Sequence, residues 1–182
     1  VELAKTFGAE IVLVERDYGD FYTPEMVERA LDENPDAVAV LTTLSETSTG
    51  TVMDIEGISK VVKKAGKLIA VDGISGLVAE RLLTDDWGLD IVVSGSQKGF
   101  MLPPGLAFIS FSKEAIEKSK NVSSTSFYFN LKKYLKDPIP WTPAVNLIYQ
   151  QSLAVKMLLE EGMENVWARH ELMGKATREA IK

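Results

Sequence analysis

No cysteine occurs in the 182 residues, so within them there is no disulfide, no thiolate metal site and no cysteine nucleophile, a usage compatible with a reducing cytoplasm. The single histidine, His170, would lack partner ligands, and no metal site is expected. No apolar run approaches the ~20 residues a membrane helix needs, so no membrane contact is expected. Positive charge is in deficit, with 20 Lys and Arg against 26 Asp and Glu. The basic residues are scattered along helical stretches rather than clustered, which argues against a nucleic-acid partner. Neither Gly-x-x-x-x-Gly-Lys-Ser/Thr nor Gly-x-Gly-x-x-Gly stands where a phosphate-binding turn would need it, which counts against a nucleotide-binding domain. Internal repeats and low-complexity tracts are also missing.

What is present is the composition of a globular domain, 46% hydrophobic and 25% charged. The length suits one domain and is short for two. Residues 1–8 read as the closing turns of an amphipathic helix that stops at Gly8, and residues 171–182 are still helical in pattern when the chain stops. With Val1 rather than Met first, these ends suggest an excerpt of a longer polypeptide.

Short β-branched or apolar runs at residues 9–14, 36–44, 68–71, 91–93 and 106–111 predict strands. The run Ala37, Val38, Ala39, Val40, Leu41 is apolar on successive residues and predicts a strand buried on both faces, as in parallel sheets. Between the runs lie helices. Thr23-Pro24-Glu25 is a hydroxyl N-cap followed by Pro at the first helical position, with Met26, Val27, Ala30 and Leu31 as the buried stripe and Asn34-Pro35 as the stop. Residues 54–65 form a second helix ending at Gly66. From Lys113 the pattern is helical, interrupted by a loop at Pro138, Pro140 and Pro143, then resumed at 147–159 and, past Gly162, at 163–182. Trp87 and Trp167 occupy helix-like apolar positions and are expected in the core; His170 is expected at a surface or helix interface. Alternation of strand and helix predicts an α/β fold with a mostly parallel sheet.

In such sheets ligands lie beyond the carboxyl ends of the strands. Three polar segments occupy those places: Ser45-Glu46-Thr47-Ser48-Thr49-Gly50, Asp72-Gly73-Ile74-Ser75 and Ser94-Gly95-Ser96-Gln97-Lys98-Gly99. Each has an ordinary explanation alone, since Asp and Ser at strand ends commonly cap helices or make turns and a loop Lys is commonly solvated. Together they offer an amine and a carboxylate on neighbouring strands. A cofactor with an aldehyde and a basic ring nitrogen requires that pair, the amine to form a Schiff base and the acid to keep the nitrogen protonated.

The order Val71-Asp72-Gly73-Ile74-Ser75, then residues 90–98 ending in Ser96-Gln97-Lys98, then Pro103-Pro104-Gly105-Leu106-Ala107, resembles the class V aminotransferases, specifically the alanine–glyoxylate and serine–pyruvate group. Ser45 to Gly50 is similar to that family's Glu-Ser/Thr-Ser-Thr-Gly element. The resemblance spans essentially the whole chain. It implies the fold type I major domain of a pyridoxal 5'-phosphate (PLP) dependent transferase, incomplete here: residues 1–160 as the PLP-binding catalytic domain without its N-terminal part, and 161–182 as a helix leading into a C-terminal small domain. The family's glycine-rich phosphate loop, ring-stacking aromatic and carboxylate-binding arginine would lie outside these residues.

The same resemblance implies the site. Lys98 would carry PLP and act as general base, Asp72 would pair with the ring nitrogen, Thr47 would bond near the ring hydroxyl, Ile74 would pack on a ring face and Gln97 would reach the phosphate. Trp141-Thr142-Pro143-Ala144-Val145 is similar to the segment that crosses the interface of a homodimer, and Thr142 would touch the phosphate in the neighbouring subunit; Ile139 stands where the family often has Tyr. Implied substrates are a small amino acid, alanine or serine, and a small 2-oxo acid, glyoxylate or pyruvate, in a ping-pong cycle. Related cysteine desulfurases carry His where this chain has Gln97, which ranks desulfuration lower. A non-catalytic α/β binding module, with Lys98 a plain surface amine, remains the alternative from another class.

Overall fold

Residues 9–14, the first run that reads as a strand, form none in the computed structural model, which describes residues 1–123 and 126–182. The segment follows a short helix, α1 (Glu2–Thr6), and has no ladder partner among the described residues. Val12 and Leu13 are therefore exposed, and apolar, β-branched composition without a neighbouring strand does not make a sheet. The next helix follows its local chemistry. In α2 (Pro24–Glu33) the Thr23 hydroxyl accepts the Met26 amide at 3.4 Å, Val27 and Leu31 are buried, and Asn34 closes the last turn.

The chain then runs through β1 (Ala39–Thr43), a hairpin of β2 (Ser45–Glu46) and β3 (Thr51–Val52), α3 (Ile55–Lys64), β4 (Leu68–Asp72), β5 (Ile91–Gly95) and β6 (Ala107–Phe111). Helices α4 (Lys113–Lys120), α5 (Leu131–Lys136), α6 (Val145–Glu161) and α7 (Met163–Ile181) complete it. The main sheet has the order β1-β4-β5-β6, with β1, β4 and β5 parallel and β6 antiparallel to β5. The α/β class and mostly parallel sheet agree with the sequence pattern.

Among the described residues the core lies on one face of the sheet. Ile69 and Val71 of β4 and Val92 of β5 pack against Ile55, Ile58 and Val62 of α3 and Val27 and Leu31 of α2. Ile58, Val62 and Ile69 are 0% exposed, each contributing about 1.5–3 kcal/mol through burial. The expected two-faced burial of β1 is not found: the strand is an edge, and Leu41, on the opposite face from this core, is 73% exposed. No helix among the described residues is long and apolar enough to cross a membrane.

Asp90 fastens the entry to β5. It is 2% exposed, and its Oδ2 accepts the Ile69 amide and the Lys63 ammonium, each at 2.9 Å, while Oδ1 accepts the Ser112 hydroxyl at 2.7 Å. One carboxylate thus joins α3, β4, β5 and the N-cap of α4. Burial pulls the Lys63 amine downward, but its hydrogen bonds to Asp90 and Glu114 outweigh that and hold its pKa above the ordinary lysine value.

Helices α6 and α7 meet at Gly162, whose φ of +83° suits a residue without a side chain. Val166 of α7, fully buried, packs with Leu158 of α6 and Val78. Trp87 is core-packed but sits in a turn rather than a helix. Trp167 is half-buried in α7 beneath the Arg81 guanidinium, 4.3 Å from the ring centroid. His170 Nδ1 lies 2.8 Å from the Val166 carbonyl one turn earlier, an intrahelical contact.

Candidate active site

The register of the parallel strands puts Thr43, Asp72 and Val93 side by side at the carboxyl edge of the sheet. Just past that edge the backbone ties the strands together, with Leu44 N bonded to Asp72 O at 2.8 Å and Gly73 N to Val93 O at 2.9 Å. Asp72 is exposed at the end of β4. Its Oδ1 accepts the Ile74 amide at 2.9 Å, a local turn that fixes the carboxylate and leaves Oδ2 with no partner among the described residues. Ile74 is half-buried beside it.

The segment after β1 packs onto the segment after β4. Thr47 and Ser75 share a short hydroxyl–hydroxyl hydrogen bond. A Cβ at Gly76 would come within 2.7 Å of Leu44 Cδ2 and 3.2 Å of Ser45 Cβ, so glycine allows the close approach. Glu46 shapes the turn: its Oε1 accepts the Ser48 amide at 2.9 Å and hydroxyl at 2.7 Å. Those two bonds, the backbone one foremost, hold the Glu46 carboxyl below the ordinary glutamate value.

The segment after β5 turns on Ser96, which is 0% exposed. Its hydroxyl donates to Pro103 O at 2.7 Å and accepts Leu106 N at 3.2 Å, pinning the Gln97-Lys98 turn to the approach of β6. Lys98 is exposed, and its ammonium enters no hydrogen bond or ion pair among the described residues. The Gln97 amide folds back over Gly95, where a Cβ would lie 2.9 Å from Gln97 Oε1. At Gly99 a Cβ would collide with the Leu77 carbonyl oxygen and lie 2.7 Å from Val78 Cβ. Val78 itself is 6% exposed with φ at +80°, a left-handed conformation that a β-branched residue rarely takes. Ser96→Ala leaves the half-buried Leu106 amide without its acceptor and removes the donor to Pro103 O, lowering stability by about 1 kcal/mol; urea unfolding of the full-length chain measures this.

Of the residues singled out in the sequence, Thr47, Asp72, Ile74, Gln97 and Lys98 lie on segments that gather at this one edge, the first three linked through Ser75 and the Asp72 turn, the last two carried against Leu77 and Val78. Thr142 is exposed in the loop between α5 and α6, and makes no hydrogen bond to that edge. Ile139 in the same loop is 65% exposed. Sequence reasoning assigned no role to Ser75 or to the contact of Gly99 with the 77–78 backbone. The glycines at 73, 76, 95 and 99, at or just beyond the ends of two strands, were the available signal for close approach. Among the described residues no group of His, Cys, Asp and Glu is arranged to hold a metal.

A carboxylate oxygen without a partner, an amine without a partner, a neutral amide, a hydroxyl pair and one aliphatic side chain suit a flat, charged heterocycle better than a metal ion. Asp72 ends β4, and Lys98 lies in the turn that follows Gly95, the last residue of the adjacent β5. The donor set fits PLP.

Comparison with known proteins places the chain in context. The family model for aminotransferase class-V matches residues 1–182. The chain is 40% identical to the soluble hydrogenase small subunit of Synechococcus sp. (strain PCC 6716), over 100% of its own length and 49% of that protein. It is 34% identical to the serine–glyoxylate aminotransferase of Methylorubrum extorquens, over 100% of itself and 48% of the relative. The crystal structure of alanine–glyoxylate aminotransferase from Nostoc sp. superposes with a TM-score of 0.86 at 29% identity, covering 93% of this chain and 47% of that one. The chain thus spans about half the length of the curated relatives it matches.

Proposed function

We propose, from the premise that the chain belongs to the aminotransferase class-V family, that the whole protein moves an amino group from alanine or serine to glyoxylate or pyruvate by a ping-pong cycle. The family's cofactor is PLP, which when bound supplies an electron-accepting ring that stabilises the carbanion left by loss of the substrate Cα proton. The observation that carries this reading is that Asp72, with one carboxylate oxygen lacking a partner among the described residues, ends β4, while Lys98, its amine likewise without a partner there, lies in the turn after the neighbouring β5.

Each side chain then has a task. Lys98 would hold the cofactor through its Nζ and would serve as the base for the proton on the substrate carbon. Asp72 presents Oδ2 to the ring nitrogen and keeps a proton there, its other oxygen being held by Ile74 N. Thr47, steadied by Ser75, donates toward the ring hydroxyl, and Ile74 covers one ring face. Gln97 gives neutral amide donors to the phosphate. Thr142 completes the phosphate contacts of a second copy, so the working unit is a homodimer with its cofactor at the interface. An amide at position 97, where a desulfurase would carry an additional acid–base group, supports amino transfer over desulfuration.

The test is an assay of the full-length chain, loaded with PLP, for glyoxylate-dependent consumption of alanine and for glyoxylate- or pyruvate-dependent consumption of serine. Failure of all three pairings defeats the proposal. In the same assay Asp72→Asn lowers kcat/KM about 10- to 100-fold, because an amide cannot provide the charge-assisted bond that keeps the ring nitrogen protonated.

A further inference from the structure

The loop that carries Thr142 is poor in backbone anchors. Pro138, Pro140 and Pro143 have no N–H to donate, and Thr142 itself makes no hydrogen bond among the described residues. What holds the loop is the neighbouring side chain. Trp141, half-buried while Thr142 is exposed, stacks on Tyr128 with centroids 5.2 Å apart and planes at 26°. Among its other neighbours are Phe127, tilted at 5.5 Å, and the Lys133 ammonium, 5.4 Å from the indole centroid and 3.1 Å from that of Phe127. Lys133 comes from α5, whose start is capped by the Asn130 side chain accepting the Lys132 amide at 3.1 Å.

We propose that Trp141 is a positioning residue for the cofactor phosphate: its indole, clamped by Tyr128, Phe127 and Lys133, sets the backbone from which Thr142 reaches the phosphate in the second copy. The inference rests on the role given to Thr142 above. Three contacts converge on one ring, and aromatic and cation–π contacts of this kind act through geometry as well as area. With two flanking prolines limiting its own torsional freedom, the 141–142 step inherits its place from that ring. Trp141 touches no reacting atom in this scheme; it acts only through Thr142.

The test is PLP affinity of the full-length chain by absorbance titration, with Tm recorded alongside. Trp141→Ala binds PLP about tenfold more weakly, as loss of one well-placed aromatic cluster implies. Trp141→Phe, which keeps the stack, stays within about threefold of the native value. Thr142→Ala gives a loss similar to that of Trp141→Ala, and the double variant is no worse than Thr142→Ala alone, because the two act as one unit. If Thr142→Ala weakens PLP binding and Trp141→Ala does not, or if their losses add, the inference is overturned while the role of Thr142 stands. If Thr142→Ala leaves affinity unchanged, the role of Thr142 and the inference fall together, whereas Asp72 and Lys98 are untouched by that result. Should Trp141→Ala fail to fold, Tyr128→Ala and Lys133→Met loosen the same clamp from its exposed side and are judged by the same two criteria.

Discussion

Lys98→Ala in the full-length chain lowers amino transfer by about 10²–10⁴-fold, the range attached to loss of a positioned general base. Borohydride reduction of the native, PLP-loaded protein fixes the cofactor to the peptide containing Lys98; the variant yields no such peptide. Stability should stay within about 0.5 kcal/mol of native, because the exposed ammonium has no partner among the described residues to lose and the backbone bond from Met101 N to Lys98 O is retained. An unchanged fold with lost activity separates a chemical role from a structural one. Lys98→Arg does not restore the rate, since a guanidinium stays protonated at working pH and cannot take up a proton. A modified lysine elsewhere in the native protein, or near-native turnover by Lys98→Ala, rules out the assignment.

The largest loss of stability is expected at Asp90, away from the chemistry. Asp90→Ala strands the Ile69 amide and the Ser112 hydroxyl and leaves the Lys63 ammonium with Glu114 alone. Breaking a buried ion pair by removing one partner costs about 3–5 kcal/mol, mostly through the charge and donors left behind. Urea unfolding of the full-length chain should register that drop, and a change under about 1 kcal/mol would show that water replaces the carboxylate freely. Alkaline titration reads the same contact from the other side. The Lys63 amine has its pKa raised in the fold, so the pair's contribution is complete below the ordinary lysine value of 10.5 and is lost as pH rises through the raised value. In Asp90→Ala that alkaline loss shrinks, leaving only the Glu114 bond to remove.

The elements that could be read from the sequence are those whose signal is local. The Thr23-Pro24 start of α2 works because a hydroxyl cap and a pre-set φ act within one turn, and the runs that became β4 and β5 are flanked by Gly66 and Ser94. Pairing information was not local. Residues 9–14 have strand composition but no neighbour, the alternation of Leu41 to solvent depends on which face α2 and α3 cover, and the antiparallel sense of β6 is a property of its partner. The hairpin of β2 and β3, two residues per strand, is too short to show a period. At the site, Asp72 and Lys98 stood out by residue type at strand ends, sharpened by resemblance to one family. The Thr47–Ser75 bond and the seating of Gly99 against Leu77 join residues 28 and 22 positions apart, and no spacing rule reports such contacts.

Val78 carries one further consequence. Its left-handed backbone disfavours the branched side chain by about 1–3 kcal/mol, yet the same side chain, buried with Leu158 and Val166, returns about 1.5–3 kcal/mol. Two opposing contributions of equal size make the position permissive to exchange with glycine: the site can drift between a filled, tense form and a slack, hollow one at nearly constant stability. Because Gly99 rests on this residue, such an exchange also bears on the set of the turn that carries Lys98.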